Sequence, residues 1–246
     1  MRMSRANTAS SLVADFVSLG LQRDTIVMVH SSLSRLGWTQ GGPATVIAAL
    51  LEVLGPRGTL VMPAESPQVA DPLSEAVFDP MTTATTMGAI PEAFRNYPGT
   101  LRSKHPLGSV CANGRLAREI TAQHALELYE GPGTPFEKLY ELNGWTLLLG
   151  VGFNRCTSLH YAESRTPNRR TMTSRFPIVE NGVRVWVEKV SMATDDSTHF
   201  PIVGKQFVAA GHVRSGKIGE ADALLFSTRA LVDFAEGYFR EALTCP

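Results

Sequence analysis

The sequence lacks the features that mark several large classes of protein. Its only cysteines are Cys111, Cys156 and Cys245; an odd and sparse count argues against a disulfide framework and fits a reducing compartment. Basic and acidic residues balance at 23 each, so the basic footprint of a nucleic-acid-binding protein is missing. No secretory signal is recognisable, and no apolar run approaches the ~20 residues that span a bilayer. We therefore expect a soluble cytoplasmic protein with no nucleic-acid or membrane partner.

Familiar ligand-binding motifs are also missing. Without a GxxxxGK[ST] or GxGxxG loop, nucleoside triphosphates and dinucleotides lose their usual support from sequence. No HExxH or CxxC pair is present, so we expect no metal. A metal-dependent hydrolase that uses His30, His105, His160 and Glu163 stays open as an alternative, and so does a non-catalytic module that binds a sugar or a coenzyme.

The sequence does contain alternating apolar strands and amphipathic helices. "DTIVMVHSS" holds a continuous apolar run typical of a covered strand, and "GTLVMP" is another. Between them, "GGPATVIAALLEVLG" predicts a helix that opens on glycine and proline and closes at Gly55. A strand, a helix and a strand within about 40 residues form the unit of a parallel sheet. "WTLLLGVG" predicts a further buried strand.

The last third of the chain has a different pattern. Asn181-Gly182 between apolar runs predicts an antiparallel hairpin. Residues 219–243, "GEADALLFSTRALVDFAEGYFREAL", predict one long helix. Because no linker or repeat divides the chain, we expect residues 1–246 to form a single α/β domain. Its mixed, partly parallel sheet would be flanked by helices and accompanied by the hairpin.

Polar clusters stand at three predicted strand ends, where α/β sheets usually bind ligands. These clusters are His30-Ser31-Ser32, the stretch Arg102 to His105, and the stretch from Asn154 to Glu163. Each one alone is more often a cap, a structural contact or a solvated surface. Together, hydroxyls, free backbone N–H groups and cations would suit a phosphorylated ligand.

The segment "LHYAES" places His160 and Glu163 three residues apart, and therefore on one helix face. A carboxylate on one ring nitrogen fixes the tautomer and leaves the other nitrogen free to accept a proton. A Cys156–His160 pair could instead form a thiolate nucleophile. We favour an ordinary buried cysteine at position 156.

Four blocks of the sequence, in this order, resemble the aminoglycoside 3-N-acetyltransferase family. They are "DTIVMVHSSLSRLGW", "GGPATVIAALLEVLGPRGTLVMP", "PEAFRNYPGTLRSKHPLGSVCANG" and "GWTLLLGVGFNRCTSLHYAE". The resemblance is strong over about residues 10–165 and looser beyond. It implies the fold of the antibiotic N-acetyltransferases, which differs from the GNAT fold, and transfer of acetyl from acetyl-CoA to an amine.

The resemblance also implies roles for individual residues. "TSLHYAE" matches the family's T-x-x-H-x-x-E motif, so His160 would be the general base and Glu163 its orienting partner. His30, in "VHSS", would assist the chemistry at the thioester carbonyl. The residues implied in binding coenzyme A are Ser31, Ser32, Leu33, Arg102, Ser103, His105 and Ser109.

The acceptor is less sharply indicated. Aminoglycosides are polycations, so their binding requires carboxylates. Candidates for the acceptor site are Glu65, Asp79, Asp195 and Asp196, with the Thr157 hydroxyl beside them. The favoured function is 3-N-acetylation of aminoglycosides, which confers antibiotic resistance. The alternative is acetylation of another amine in secondary metabolism, and the sequence does not indicate an oligomeric state.

Overall fold

A computed structural model of the protein describes residues 6–66, 77–126, 128–167, 171–180, 183–192 and 198–242. Two of the candidate acceptor-site residues, Asp195 and Asp196, lie outside the described residues, as does the predicted Asn181-Gly182 turn. Among the described residues, no helix combines the length and apolar character needed to cross a bilayer.

The main sheet has seven strands in the order β3-β4-β2-β1-β5-β9-β8, and β6 and β7 form a separate ribbon. The strands are β1 (Ile26–Ser31), β2 (Thr59–Pro63), β3 (Leu101–Arg102), β4 (Val110–Gly114), β5 (Trp145–Leu149), β6 (Thr171–Glu180), β7 (Val183–Met192), β8 (Arg214–Ile218) and β9 (Ala221–Ser227). The helices are α1 (Ala9–Leu19), α2 (Gly42–Leu54), α3 (Ala89–Arg95), α4 (Ala117–Thr121), α5 (Pro135–Glu141), α6 (Ser158–Ser164), α7 (Phe200–Ala209) and α8 (Thr228–Ala242).

Strand β1 lies at the centre and pairs in parallel with both β2 and β5. The remaining pairs in the sheet are antiparallel. This arrangement confirms the predicted α/β class with a mixed, partly parallel sheet. From β1 the chain passes through α2 to β2 on one side of β1, and it later forms β5 on the other side. The carboxyl ends of β1, β2 and β5 therefore border a crevice, which is where such sheets bind ligands.

The alternation of side chains along β1 divides the core into two layers. Val27 and Val29 face a cluster with α1, α2 and α3, whereas Met28 faces a cluster with α4 to α8. All three side chains are fully buried, as expected for a central strand covered on both faces. Helix packing on both sides therefore fixes the position of the residues that follow β1.

The predicted helix over residues 219–243 is wrong in its first part. Residues 221–227 form β9, antiparallel to β5, and only Thr228–Ala242 are helical. Along β9, Ala223 and Leu225 pack in one core layer and Phe226 in the other. A short apolar run fits either a strand or a buried helix, and the free edge of β5 decides between them.

The predicted antiparallel hairpin is confirmed by β6 and β7, which pair over their full lengths. The ribbon packs on the rest of the chain through a small cluster in which Ile178 and Val187 contact buried Phe78 and Leu107. Residues Phe78 and Ile178 also form an isolated parallel bridge. The ribbon is thus tied to the segment that follows β2.

Candidate active site

A groove runs along the carboxyl edge of β1, β2 and β5. It consists of two adjoining cavities, an inner one of about 380 Å³ and an outer one of about 760 Å³, which share Ser31, Ser32 and Gly88. The inner cavity is also lined by His30, Pro63, Thr86, Met87, Pro91, Gly150, Val151, Arg155 and Thr157. The outer cavity is also lined by Leu33, Ser34, Gly37, Trp38, Thr39 and Ala89.

The groove brings together one group of the residues predicted from the sequence. His30, Ser31 and Ser32 come from the end of β1, and Thr157 precedes α6. Gly150 permits the sharp turn after β5, because its φ is 70° and a Cβ there would lie 2.7 Å from the Arg35 Cβ. The turn carries the chain from β5 to α6, and so places Thr157 opposite the end of β1.

His30 is an uncharged group at the base of the inner cavity. Its side chain is only 4% exposed, and burial lowers the pKa of His30 to about 4. His30 Nε2 and Ser31 Oγ are buried and have no hydrogen-bond partner among the described residues. The Thr157 hydroxyl is likewise buried and has no hydrogen-bond partner among the described residues. Buried polar atoms without partners cost about 1–3 kcal/mol each, so their collection around one cavity indicates a site that pairs them with a ligand.

One helical turn beyond Thr157, His160 Nδ1 donates a hydrogen bond to Glu163 Oε2 at 2.7 Å. The Glu163 side chain is fully buried, whereas that of His160 is 29% exposed. The Phe200 ring from α7 contacts the imidazole edge-on at 4.7 Å between centroids. Because Nδ1 is committed to the carboxylate, Nε2 is the nitrogen that can accept a proton.

Three carboxylates determine the charge state of His160. Burial lowers the pKa of His160, but the negative charges of Glu130, Glu163 and Glu65, together with the hydrogen bond to Glu163, outweigh burial and raise it to about 9. Two opposing effects thus meet at one imidazole, and the electrostatic attraction is the larger. The ring is therefore mostly protonated at neutral pH in the ligand-free protein.

Cys156 is not equipped to be a nucleophile. It is 1% exposed and belongs to the core layer of α4 to α8. Burial raises the pKa of its thiol to about 12, so the thiolate that nucleophilic attack requires is scarce at neutral pH. The geometry favours the structural cysteine that we expect from the sequence.

Arg102 is bonded to other parts of the protein and lines neither cavity of the groove. Its guanidinium donates to Ser109 Oγ at 2.9 Å and to Ser66 Oγ at 2.7 Å, and also to the backbone carbonyls of Thr83 and Ala64. Burial lowers the pKa of Arg102 to about 10, which still leaves the group charged at neutral pH. Contact between Arg102 and a phosphate stays a prediction, and these internal bonds disfavour it.

Ser103 and His105 are fully buried in the same region. Ser103 Oγ accepts from Val110 N at 2.9 Å and donates to His124 Nδ1 at 2.8 Å, and His124 Nε2 donates to the Tyr129 carbonyl. His105 Nδ1 accepts from Gly108 N at 3.0 Å, and its ring stacks between those of His124 and Tyr129. None of these side chains lines the two cavities of the groove, so the predicted contacts of Ser103, His105 and Ser109 with coenzyme A stay predictions as well.

The two candidate acceptor carboxylates that the structure describes, Glu65 and Asp79, differ in their interactions. Glu65 acts on His160 electrostatically, whereas Asp79 stabilises its own turn by accepting from Met81 N and Thr82 Oγ1. A role for Asp79 in acceptor binding stays a prediction. The sequence interpretation missed Glu130, which is 5% exposed and influences His160 from 30 positions away. No local motif signals such a long-range pairing.

The metal alternative has little support in the geometry. Among the described residues, no three or more His, Cys, Asp and Glu side chains are grouped so that they could hold a metal ion. His30 and His105 have different surroundings: His30 lines the inner cavity, whereas His105 is stacked against the rings of His124 and Tyr129.

Comparison with known proteins identifies the family to which the chain belongs. The family model described as aminoglycoside 3-N-acetyltransferase matches residues 28–240. The chain belongs to this family. Its relatives include the SPbeta prophage-derived aminoglycoside N(3')-acetyltransferase-like protein YokD of Bacillus subtilis (strain 168), 38% identical over 94% of this chain and 92% of that protein. The predicted family and fold are confirmed.

Two solved structures of the family are informative about ligands. AAC-IIIb in its binary complex with CoASH has a TM-score of 0.91 and 31% identity, and the match covers 98% of this chain and 99% of that one. AAC-VIa bound to sisomicin has a TM-score of 0.89 and 30% identity, over 96% of this chain and 98% of that one. Identities near 30% with almost complete coverage show that the chain shares the fold of both proteins over nearly its whole length.

Proposed function

We propose that this protein transfers the acetyl group of acetyl-CoA to the 3-amino group of an aminoglycoside, with His160 as general base and Glu163 as its orienting partner. The observation that carries the proposal is the 2.7 Å bond between His160 Nδ1 and the buried Glu163 carboxylate, one helical turn from a groove lined by unpartnered polar groups. The CoASH and sisomicin complexes of the two relatives support the donor and the acceptor class.

In the proposed reaction, His160 Nε2 takes a proton from the acceptor ammonium, since an ammonium has no lone pair with which to attack. The freed amine nitrogen attacks the thioester carbonyl carbon, and the C–S bond of the tetrahedral intermediate then breaks. The leaving coenzyme A thiolate takes up the proton held by His160. After the C–S bond breaks, the nitrogen still carries one extra proton and loses it to water as the neutral amide forms, so each turnover of an ammonium acceptor releases one proton.

His30 would stabilise the oxyanion of that intermediate. Its low pKa keeps the ring neutral, so it offers one N–H donor without a charge that would bind the ground state equally well. The hydroxyls of Ser31 and Thr157 border the same cavity and would supply further donors. Preorganised donors of this kind commonly contribute about 10²–10³ in kcat.

The carboxylates near His160 would select a cationic acceptor. Glu65 and Glu130 act on the His160 site, and an ammonium group beside them gains Coulomb energy in a partly desolvated setting. The same ammonium opposes protonation of His160 and lowers its pKa. Arrival of the acceptor would therefore prepare the base.

The test is acceptor-dependent release of free thiol from acetyl-CoA, with sisomicin and gentamicin as the first acceptors. We expect the wild-type protein to release thiol only when an acceptor is present. His160→Ala should lower kcat by about 10²–10⁴, the usual contribution of a general base, while acetyl-CoA binding persists in calorimetry. His212→Ala is the matched control, because His212 is an exposed histidine remote from the groove lining.

The outcomes separate the parts of the proposal. Turnover that survives in His160→Ala would reject the base assignment. Acetyl-CoA binding without thiol release from any aminoglycoside would keep the donor and send the search to other amines.

A further inference from the structure

Trp38 is a large apolar side chain left in solvent. It is 68% exposed, although a tryptophan can bury roughly 150–250 Å² and is usually well covered. It lies between a short 3₁₀ turn, Leu33–Leu36, and the start of α2. Its position lines the outer cavity of the groove.

The backbone around Trp38 is fixed, so its exposure does not come from a loose loop. The Trp38 carbonyl accepts from Asn7 N at 2.9 Å, and the Asn7 carbonyl accepts from Gln40 N at 2.9 Å. Asn7 Nδ2 donates to the Leu36 carbonyl at 2.7 Å, and Asn7 is only 6% exposed. A well-anchored segment thus presents an indole to the groove.

The outer cavity continues directly from the cavity that holds His30, since both are lined by Ser31, Ser32 and Gly88. A third cavity of about 540 Å³ also adjoins the inner one, and Arg35, Glu220 and Asp222 are among its lining residues. The outer cavity is larger, at about 760 Å³. With the thioester at His30, the outer cavity is therefore the roomier course for the rest of the donor.

We propose that the Trp38 indole stacks on the adenine ring of coenzyme A and so holds the nucleotide end of the donor. The inference rests on the proposed use of acetyl-CoA, and it adds a residue that recognises the part of the donor farthest from the chemistry. Every base presents a π-face, and stacking on an aromatic side chain is a common way to hold one. An indole in place before binding also limits the entropy lost on association.

The first test uses tryptophan fluorescence, since the chain has three tryptophans, Trp38, Trp145 and Trp186. Titration with coenzyme A should quench the wild-type protein and Trp186→Phe, because Trp186 is a comparably exposed residue on β7. Trp38→Phe should lose the quench yet keep its affinity in calorimetry, because phenylalanine still stacks.

The second test compares donors with and without the nucleotide. Trp38→Ala should raise the KM for acetyl-CoA by roughly 10-fold or more, the effect typical of a lost base–aromatic stack. The kcat and the KM for sisomicin should stay within about two-fold. With acetyl-pantetheine, which has no adenine, Trp38→Ala and wild type should have equal kcat/KM.

An unchanged KM for acetyl-CoA in Trp38→Ala would overturn the inference, and so would an equal loss with both donors. If coenzyme A does not bind the wild-type protein in calorimetry, the proposed function fails first. If it binds and Trp38 fluorescence does not change, only the inference about Trp38 fails.

Discussion

At the residue scale, the carboxylates around His160 have more influence on its charge than its burial. The sequence indicates one of them, Glu163, through its spacing of three from the histidine. Glu65 and Glu130 join it only in the folded chain and raise the pKa of His160 to about 9. A base that is protonated in the ligand-free protein must lose that proton before it can accept one from the substrate, and this requirement predicts a pH dependence.

The ligand-free protein should show an imidazole that titrates near pH 9 in NMR spectra and disappears in His160→Ala. Glu130→Gln should move this titration to lower pH, because one negative charge that stabilises the imidazolium is gone. The acid limb of kcat/KM, which reports the free enzyme, should shift in the same direction. Glu141→Gln is the control, since Glu141 is exposed and pairs with Lys138.

The same pKa has a consequence for stability with a definite sign. The folded value of about 9 lies above the ordinary value of 6.5. The stabilisation from the charged pair is therefore complete below about pH 6.5 and is lost as the pH rises through about 9. A His160 titration that stays near 6.5 would contradict this account of the site.

At the element scale, helix α7 matters because it packs on the turn that leads into α6. Gly204 of α7 faces Phe153, and a Cβ at Gly204 would lie 2.2 Å from the Phe153 ring and 2.7 Å from its Cβ. Because the clash includes the Cβ of Phe153, rotation of the Phe153 ring cannot relieve it. Phe153 stacks on Phe226 at 5.3 Å between centroids and begins the turn Phe153–Arg155 ahead of Thr157.

Two glycine substitutions in helices should therefore have opposite effects. Gly204→Ala should lower the free energy of unfolding by about 1–3 kcal/mol through overpacking, although alanine is the better helix former. Gly237→Ala in α8 should raise it by up to about 1 kcal/mol, because a Cβ there meets nothing within 4 Å. Urea unfolding of both variants measures the difference. Equal stabilisation by both would mean that Phe153 gives way easily.

At the scale of the whole molecule, Arg102 joins segments that are far apart in sequence. One guanidinium binds Ser66, Thr83 and Ser109, across a span of more than 40 residues. It also covers the Phe78 ring, with 4.9 Å between its Cζ and the ring centroid. Phe78 in turn contacts the cluster under the β6–β7 ribbon. The residue therefore ties the ribbon to the main sheet.

Arg102→Lys should lower the free energy of unfolding by about 2–4 kcal/mol, since a single ammonium cannot satisfy acceptors on three segments. The KM for acetyl-CoA should stay within about two-fold in the folded protein. Lys104→Met is the control for loss of a nearby exposed cation. A variant with normal stability and a ten-fold higher KM would instead establish Arg102 as a contact of the donor.

Local patterns in the sequence were sufficient for much of the fold. The strand–helix–strand unit around α2 and the buried strand β5 follow from the period of apolar residues and from glycine and proline at the element ends. The hairpin follows from Asn-Gly between apolar runs. The helix predicted over residues 221–227 is wrong because a short apolar run fits both a strand and a buried helix. In the folded chain, pairing with β5 selects the strand.

The sequence by itself determined the pairing of His160 with Glu163, because a helical turn brings residues three apart together whatever surrounds them. It also determined that His30, Ser31 and Ser32 follow a buried strand. Only the tertiary structure decided that Arg102 and His105 line neither cavity of the groove, that Glu130 acts on His160, and that Trp38 faces the groove. These are contacts between segments distant along the chain, and they depend on how the layers pack rather than on any local spacing.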